Sequence, residues 1–526
     1  MNTAEFLMIS AAIVPDRVAI AGPDERITYA ELQSRANCLA QAFQALGIGR
    51  GQAIGVMAVN SVEFAEIYYA AAAVGATLVP LNFRAKPEEL TYMIDSTDVA
   101  ALFISERYYS IYEGIRGATP SVKHVIPMDF ETAGLTSLKS LREAHENIPV
   151  FAETDDKDAT LIIFTSGTTA LPKGVVLSYQ ALTSLVVNTQ APADPSVEQQ
   201  VVLVSVPFFH IAGATTLMSA VFSGRRLVVL PQFDPQAWLS NVEKEGVTHA
   251  FVVPTMLKRI MEVDDFNRYN LSTLQLVTYG AAPMPYEVVR RAVDVFAPDR
   301  ANVGLMNSYG QTEATGSMTT LGPDDHRLNS NPEENEVKVL RLRSVGRPMT
   351  DIDVAILLPD GRRAPTNEPG EICIRGDRVM RGYNKRDDDT ESALQDGWLH
   401  TGDVGKVDDG GYLFITGRIK DMVIRGGENI GPAEIEQVLE DHPGVAEAAI
   451  IGVPDVEWGE VCKAIMVPVD QGLLPSEQEL TDYVKSRLAS YKAPAYYQWV
   501  DELPRNPLGK VLKTELRDLY GAPAYA

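Results

Sequence analysis

Short apolar runs alternate with segments of helical periodicity along most of the chain. The segments 64–74 and 286–295 have the spacing of amphipathic helices. Runs with the length and β-branched content of buried strands occur at 201–206, 226–230, 274–279 and 353–358. This alternation predicts an α/β fold with mainly parallel sheets. The apolar stretch from Phe6 to Val14 predicts a first helix that ends near Pro15.

A change of pattern near residue 418 predicts a domain boundary. The segment 417–421 contains one glycine and three charged residues and follows an expected strand at 412–416. The elements expected after it form a compact α/β unit: a helix from Pro432, strands at 447–451 and 463–467, and a helix at 477–488. We therefore predict domains at 1–419 and 420–526, with ligand sites in the cleft between them.

Composition narrows the class of partner. At 526 residues the chain exceeds one hydrophobic core, and its net charge of −24 opposes binding to nucleic acid or to an anionic membrane surface. No apolar segment has the length of a membrane span, and no basic residue precedes Arg17, as a signal peptide would require. The cysteines Cys38, Cys373 and Cys462 have no metal or redox spacing, which is typical of a reducing compartment, so we expect a cytoplasmic protein.

The segment 165–174 carries the strongest chemical signal. It follows the apolar run 161–164 and consists of hydroxyl residues, glycines and one lysine, which suits a polyphosphate. It is not a Walker A loop, because Pro172 and Gly174 stand where that motif requires Gly and Ser/Thr. By itself, this pattern also fits a polar surface turn.

Six further segments carry candidate chemistry, and each has an ordinary structural interpretation when taken alone. His210 and the segment 280–283 follow strands, at the ends where ligands bind in open α/β sheets. The other segments offer an aromatic ring, carboxylates, cations or close-packing glycines, and they lie at 307–313, 398–403, 417–427 and 504–510.

In this order, the strings TSGTT, PKG, YGQTE, HTGD, GRIKD and PRNPLGK resemble the acyl-adenylate-forming superfamily of acyl-CoA synthetases, nonribosomal-peptide adenylation domains and firefly-type luciferases. The resemblance extends from about residue 10 to about residue 515. It implies an α/β fold with a large N-terminal domain of several subdomains and mixed sheets, and a small, mobile α/β C-terminal domain. It also implies adenylation of a carboxylic acid by ATP, followed by attack of a thiol.

Motif matching assigns a role to each candidate residue. The resemblance implies catalytic roles for Lys510, Glu313, Thr312 and His210, with Glu313 as the Mg²⁺ ligand and Lys420 as the hinge. The implied ATP- and AMP-binding residues are Thr165, Ser166, Gly167, Thr168, Thr169, Lys173, Gly280, Ala281, Ala282, Tyr309, Gly310, Asp403 and Arg418. The implied CoA-binding residues are Gly426, Gly427 and Trp458, and the acyl pocket is assigned to His210, Gly213, Ala214 and Val253, together with Gly280 and Gly310.

One residue departs from the family pattern. Ala170 stands where related loops usually have Gly, and if that position needs a positive φ, alanine costs about 1–2 kcal/mol there. We still expect activity, because the remaining loop residues match.

The leading prediction is a ligase that joins a fatty or other hydrophobic acid to CoA, with ATP, Mg²⁺ and CoA as cofactor and substrates. The sequence of 417–436 resembles fatty-acid and aryl-acid CoA ligases more than amino-acid adenylation domains. The end of the chain shortly after Lys510 also favours a stand-alone ligase. An acyl-AMP ligase that loads a carrier protein and an inactive, ligand-binding paralogue remain open. The identity of the acid and the oligomeric state are not predicted.

Overall fold

The computed structural model describes residues 1–165, 171–282, 284, 286–296, 303–328, 332–426, 428–505 and 510–522. Strands and helices are numbered in chain order. Among these residues, the helices are all too short or too polar to cross a membrane.

The first sheet has nine strands and is parallel at its centre. From edge to edge the order is β15-β14-β13-β12-β11-β9-β10-β1-β2, and only the outer strands β2, β14 and β15 pair antiparallel. The strands are β1 Val18–Ala21, β2 Arg26–Thr28, β9 Val201–Val204, β10 Arg226–Val229, β11 His249–Val252, β12 Leu276–Gly280, β13 Gly304–Gln311, β14 Gly316–Leu321 and β15 Arg347–Pro348.

The second sheet has seven strands in the order β18-β8-β7-β4-β3-β5-β6. Its interior is parallel, whereas β7, β8 and β18 form an antiparallel edge. The strands are β3 Ala53–Met57, β4 Thr77–Pro80, β5 Val99–Ile104, β6 His124–Pro127, β7 Ala159–Thr165, β8 Lys173–Ser178 and β18 Gly382–Tyr383.

Helices cover both of these sheets. One continuous core joins them, and it includes Phe43 of α2, Tyr69 of α3 and Phe222 of α8, all buried. Side-chain caps begin several helices, such as the Thr28–Glu31 capping box of α2. The helices are α1 Ala4–Ile13, α2 Tyr29–Ala45, α3 Val62–Ala73, α4 Pro87–Ser96, α5 Glu106–Ile115, α6 Leu138–Glu143, α7 Tyr179–Thr189, α8 Ile211–Phe222, α9 Pro235–Glu245, α10 Pro254–Met261, α11 Tyr286–Val295, α12 Pro323–His326, α13 Pro332–Arg341 and α14 Asp387–Ala393.

The third and fourth sheets are mainly antiparallel, so the expectation of mainly parallel sheets is wrong after about residue 350. The third sheet consists of β16 Asp353–Leu357, β17 Gly370–Arg375, β19 Leu394–Gln395, β20 Trp398–Val407 and β21 Leu413–Arg418. Its strands β16 and β17 and its strands β20 and β21 follow one another without a crossover helix, which a parallel pair would need.

The fourth sheet belongs to a smaller C-terminal unit with its own core. It contains β22 Val423–Arg425, β23 Glu428–Ile430, β24 Val445–Asp455, β25 Gly459–Pro468 and β26 Tyr496–Trp499, covered by α15 Pro432–Glu440, α16 Glu477–Lys485 and α17 Lys513–Tyr520. The predicted α/β class with a large N-terminal and a smaller C-terminal domain is confirmed. The boundary between 419 and 420 remains a prediction; it falls in a short 3₁₀ turn, Ile419–Asp421, that follows β21.

A buried ion pair ties three helices of the N-terminal domain together. The carboxylate of Glu66 in α3 is inaccessible to solvent and accepts hydrogen bonds from Arg35 of α2 at 2.8 Å and from Arg142 of α6 at 2.9 Å. Burial raises the pKa of Glu66, and the two guanidinium groups oppose that shift.

We expect Glu66→Ala to destabilise this domain by about 2 kcal/mol or more, because it leaves two guanidinium groups without their shared partner. Urea unfolding followed by intrinsic fluorescence would measure the loss as a lower midpoint. Glu63→Ala, on the same helix but without an ion pair among the described residues, is the matched control. Equal midpoints for both variants would contradict the assignment.

Candidate active site

Three neighbouring parallel strands end at the predicted site. Gly280 ends β12, Val253 directly follows β11, and His210 lies beyond β9, and these strands are adjacent in the order β12-β11-β9. Ligands bind at this end of such sheets. The structure therefore brings together one residue of the predicted adenine site and two of the predicted acyl pocket.

Close backbone approach explains two glycines at this edge. A Cβ on Gly280 would lie 2.0 Å from the carbonyl oxygen of Ser308 in β13, and a Cβ on Gly310 would lie 1.8 Å from that of Gly316 in β14. Ala281 follows with φ of +68°, a conformation that is unfavourable for alanine. Local backbone strain thus accompanies the predicted adenine slot at 280–282.

Asp403 is the centre of a polar network. Its buried carboxylate accepts hydrogen bonds from Arg418 Nε at 2.6 Å and from the Tyr309 hydroxyl at 2.7 Å. Gln311 Nε2 lies 3.4 Å from the same carboxylate and donates to the Thr401 carbonyl at 3.2 Å. Burial and the neighbouring Asp403 carboxylate raise the pKa of Tyr309 well above its usual value. Three predicted nucleotide ligands, Tyr309, Asp403 and Arg418, therefore meet at one point.

A further set of contacts holds the part of β20 that carries Asp403. One oxygen of Glu371 in β17 accepts from the Gly402 amide at 3.0 Å, and the other lies 2.7 Å from His400 Nδ1. Cys373, opposite His400 across the sheet, lies 3.5 Å from the same nitrogen. The sequence offered no signal for this cluster, because its members come together only through the β17–β20 register.

Glu313 lies beside this network and is half-buried. It lies in a 3₁₀ turn, Thr312–Ala314, directly after β13, and its Oε1 accepts a hydrogen bond from the Tyr383 hydroxyl at 3.0 Å. Burial raises the pKa of Glu313. Thr312 begins the same turn, so the predicted metal ligand and the predicted α-phosphate contact are adjacent. Tyr383, from the two-residue strand β18, was not predicted.

Of the predicted phosphate loop, the structure describes Thr165 and the residues from Leu171 onward. Thr165 ends β7 opposite Lys173, which begins β8. Lys173 Nζ donates to Asp389 of α14 at 2.5 Å and lies 4.9 Å from the centre of the Tyr383 ring. Of the other predicted residues, Ser166, Gly167, Thr168, Thr169 and the unusual Ala170 lie outside the described residues.

Lys510 comes from the C-terminal domain and lies near Arg418, Asp403, Lys420 and Asp421, which all influence its titration. Burial, followed by the repulsion of Arg418, lowers the pKa of Lys510 to about 8. Its side chain is half-buried. The ion pair of Arg517 in α17 with Asp421, at 2.8 Å, and that of Lys513 with Glu436, at 2.6 Å, hold the segment that follows it.

Among the predicted acyl-pocket residues, His210 has a neutral imidazole. Burial, followed by the nearby charge of Arg84, lowers the pKa of His210 to about 3, so the ring is uncharged at neutral pH. Its Nε2 is buried and has no hydrogen-bond partner among the described residues. Gly213 in α8 is packed so closely that a Cβ would lie 2.3 Å from the Pro207 carbonyl oxygen, and Ala214 and Val253 are buried.

The predicted CoA residues form a separate contact. Gly426, with φ of +57°, donates its amide to the Trp458 carbonyl at 2.8 Å, and a Cβ there would lie 2.9 Å from the indole ring. Trp458 is 42% exposed. Gly427 lies outside the described residues. The predicted hinge residue Lys420 is exposed, in the 3₁₀ turn after β21.

Comparison with known proteins places this arrangement in a family. The model of the AMP-binding enzymes matches residues 9–384, and that of the AMP-binding enzyme C-terminal domain matches residues 434–510. The chain belongs to the AMP-binding enzymes. Within this family it is an acid–thiol ligase of the acyl-CoA synthetase kind, which uses ATP, CoA and a small carboxylic acid.

Relatives of the enzyme differ in the acid they are named for. It is 34% identical to the long-chain-fatty-acid–CoA ligase FadD13 of Mycobacterium tuberculosis over 524 residues, 99% of each chain. It is 33% identical to a feruloyl-CoA synthase of an Amycolatopsis species over 512 residues, 97% of each chain. Among solved structures, it matches a Mycobacterium tuberculosis fatty acyl CoA synthetase with a TM-score of 0.78 and 32% identity over 99% of both chains. These relatives support ligase chemistry through an acyl adenylate and leave the acid open.

We expect Gly280→Ala to weaken AMP binding at least tenfold, because the added methyl group forces β12 away from Ser308. Isothermal titration calorimetry with AMP would measure this. Gly114→Ala is the matched control, since a Cβ at that position in α5 meets no atom within 4 Å. Unchanged AMP affinity in the Gly280 variant would remove this strand end from the nucleotide site.

Proposed function

We propose that the enzyme adenylates a fatty or other hydrophobic carboxylic acid and then transfers the acyl group from acyl-AMP to the thiol of CoA. The observation that carries this proposal is the meeting of Asp403, Tyr309, Arg418 and Lys510 beside the half-buried Glu313. A carboxylate is a poor electrophile, because its leaving group would be oxide. Adenylation supplies AMP as the leaving group and removes the negative charge that repels a thiolate.

We assign the nucleoside to the strand ends. Asp403 accepts hydrogen bonds from the ribose hydroxyls, with Arg418 as its counter-charge. The adenine ring lies against Tyr309 and the backbone of 280–282, where Gly280 and Gly310 allow the backbones of β12, β13 and β14 to approach one another closely.

We assign the triphosphate to the β7–β8 hairpin and to the 3₁₀ turn after β13. Thr165 and Lys173, with Ser166, Gly167, Thr168 and Thr169, hold the β- and γ-phosphates, and Thr312 contacts the α-phosphate. Glu313 fits a Mg²⁺ ligand, since a divalent cation would favour the ionised form of this carboxylate, whose pKa is raised in the absence of a cation. The bound ion would neutralise charge on the phosphates.

We assign Lys510 to the first half-reaction. Its ammonium donates to the oxygens of the reacting carboxylate and of the α-phosphate, where negative charge develops. A single donor of this kind contributes about 3–4 kcal/mol, so Lys510→Ala should slow adenylation roughly 100- to 1,000-fold. Rotation about Lys420 then removes Lys510 and brings Gly426, Gly427 and Trp458 to the pantetheine of CoA.

The acyl pocket supports an uncharged tail. The ring of His210 is neutral, and Gly213, Ala214 and Val253 offer only apolar surface or backbone. Nε2 of His210, which has no hydrogen-bond partner among the described residues, can form one hydrogen bond with the reacting carboxyl group. This bond would satisfy a polar atom that is otherwise buried without a partner. These residues carry no charge themselves, so a second carboxylate in the tail would depend on Arg84, which is close enough to influence His210, for a counter-charge.

The test is pyrophosphate release from ATP and Mg²⁺ across fatty, cyclic, aromatic and dicarboxylic acids, with and without CoA, with acyl-CoA followed by mass spectrometry. We expect CoA-dependent turnover with apolar monocarboxylic acids and little with dicarboxylic acids. Release that stops after one equivalent despite CoA would indicate a carrier-protein acceptor. If neither the wild type nor Ala170→Gly releases pyrophosphate with any of the acids, the protein is an inactive paralogue.

We also expect a pH limit that belongs to adenylation alone. Lys510 is protonated below about pH 8 in the free enzyme and loses its charge above it. Hence kcat/KM for ATP–pyrophosphate exchange, measured without CoA so that no thiol titrates, should fall by up to about tenfold per pH unit above pH 8. Lys510→Arg keeps its charge, so its lower rate should lack this decline. The same decline in both proteins would exclude Lys510 as its source.

A further inference from the structure

Lys173, the cation assigned to the phosphates, already has an anionic partner in this structure. Its Nζ lies 2.5 Å from Oδ1 of Asp389, in the first turn of α14. The two side chains are 17% and 31% exposed, so the pair is only partly screened by water. The hydrogen bond from Lys173 is also the main reason that the pKa of Asp389 is lowered.

The surroundings hold this pair in a defined place. Lys173 is fixed by the pairing of β8 with β7, and its ammonium also lies over the Tyr383 ring. Asp389 has a second cation nearby, since its Oδ2 lies 3.3 Å from Arg386 Nη1. Arg386 in turn donates to the Tyr92 hydroxyl at 3.1 Å. Asp389 therefore keeps a counter-charge if Lys173 turns away.

A phosphate that approaches this ammonium must displace the carboxylate or lie beside it. Two anions on the same side of one ammonium repel each other strongly where water is partly excluded. Exchange of partners is the favourable route, with Lys173 moving to the phosphate and Asp389 retained by Arg386. AMP does not reach Lys173 in the arrangement proposed above, so it needs no such exchange.

We propose that Asp389 is a positioning residue that competes with the β- and γ-phosphates for Lys173 and so weakens the binding of the nucleoside triphosphate relative to the monophosphate. This proposal rests on the proposed function, which assigns Lys173 to the phosphates. Asp389 acts through Lys173 and lowers the preference of the enzyme for ATP over AMP.

The first turn of α14 offers a matched control. Asp387 and Asp388 precede Asp389 and carry the same charge near the same helix end, but both are exposed, and neither forms an ion pair among the described residues. A general effect of negative charge near the nucleotide, or of the helix N-terminus, should appear in Asp388→Asn as well. An effect through Lys173 should be confined to Asp389.

The experiment compares ATP and AMP binding by isothermal titration calorimetry in the wild type, Asp389→Asn and Asp388→Asn. We expect the Kd for ATP to fall roughly three- to tenfold in Asp389→Asn only, as removal of a partly exposed competing pair implies, with the Kd for AMP unchanged. In pyrophosphate exchange, KM for ATP should fall while kcat changes little. Unchanged AMP affinity also shows that the variant is folded.

Lys173→Met separates this proposal from the proposed function. We expect Lys173→Met to weaken ATP binding but not AMP binding. In the double variant, Asp389→Asn should then have no further effect on ATP affinity. Suppose that Lys173→Met weakens ATP binding, whereas Asp389→Asn leaves the ATP affinity unchanged, lowers it, or changes the AMP affinity equally. Competition by Asp389 is then refuted, and the phosphate role of Lys173 stands. If Lys173→Met leaves ATP binding unchanged, the phosphate role fails, and the competition fails with it.

Discussion

The buried pair of Asp403 and Arg418 is the constraint on which the site depends. A carboxylate removed from water needs a counter-charge, and Arg418 supplies it at 2.6 Å from the adjacent strand. The two residues lie directly opposite each other in the β20–β21 register. β21 ends at Arg418, and the 3₁₀ turn with Lys420 follows directly. The proposed hinge therefore begins where the strand that supplies the counter-charge of the proposed ribose site ends. A shift of one residue in this register would place Asp403 on the opposite face of the sheet and separate the pair.

The same pair sets the electrostatics of Lys510. Burial lowers the pKa of Lys510 most, Arg418 lowers it further, and Asp403 and Asp421 oppose the shift. The charge of Lys510 in the free enzyme therefore depends on pH, whereas Lys173 is already paired with Asp389. In a chain of net charge −24, the cations of the proposed phosphate site are local features, each balanced by named neighbours.

Local motifs could be predicted from the sequence because their residues are close along the chain. Tyr309 and Glu313, or Thr401 and Asp403, need no tertiary information to be recognised as units. Tyr383 and Asp389 were not predicted, because their contacts with Glu313 and Lys173 depend on the tertiary fold. In particular, β18 pairs with β8, which lies more than two hundred residues earlier in the sequence. Glu371 escaped for the same reason, since it contacts Gly402 only through the β17–β20 register.

The error in sheet type has a similar cause. A run such as 353–357 has the same apolar content whether its partner is parallel or antiparallel, so periodicity alone could not distinguish them. The turn sequences could have done so: Asp360-Gly361 separates β16 from β17, and Asp409-Gly410-Gly411 separates β20 from β21. Turns of this kind typically join antiparallel neighbours, and the five residues between β20 and β21 leave no room for a crossover helix.

The binding of the triphosphate and the protonation of Lys510 are coupled through the charges around Lys510. A phosphate near Lys510 adds negative charge where Arg418 now opposes the ammonium, so bound ATP favours the protonated form that the first half-reaction needs. The same triphosphate offers Lys173 a partner to replace Asp389. The triphosphate thus favours the charged form of Lys510 and offers Lys173 a second partner. In the free enzyme, Asp389 balances Lys173, whereas Asp403 and Asp421 favour the ammonium of Lys510 against burial and Arg418.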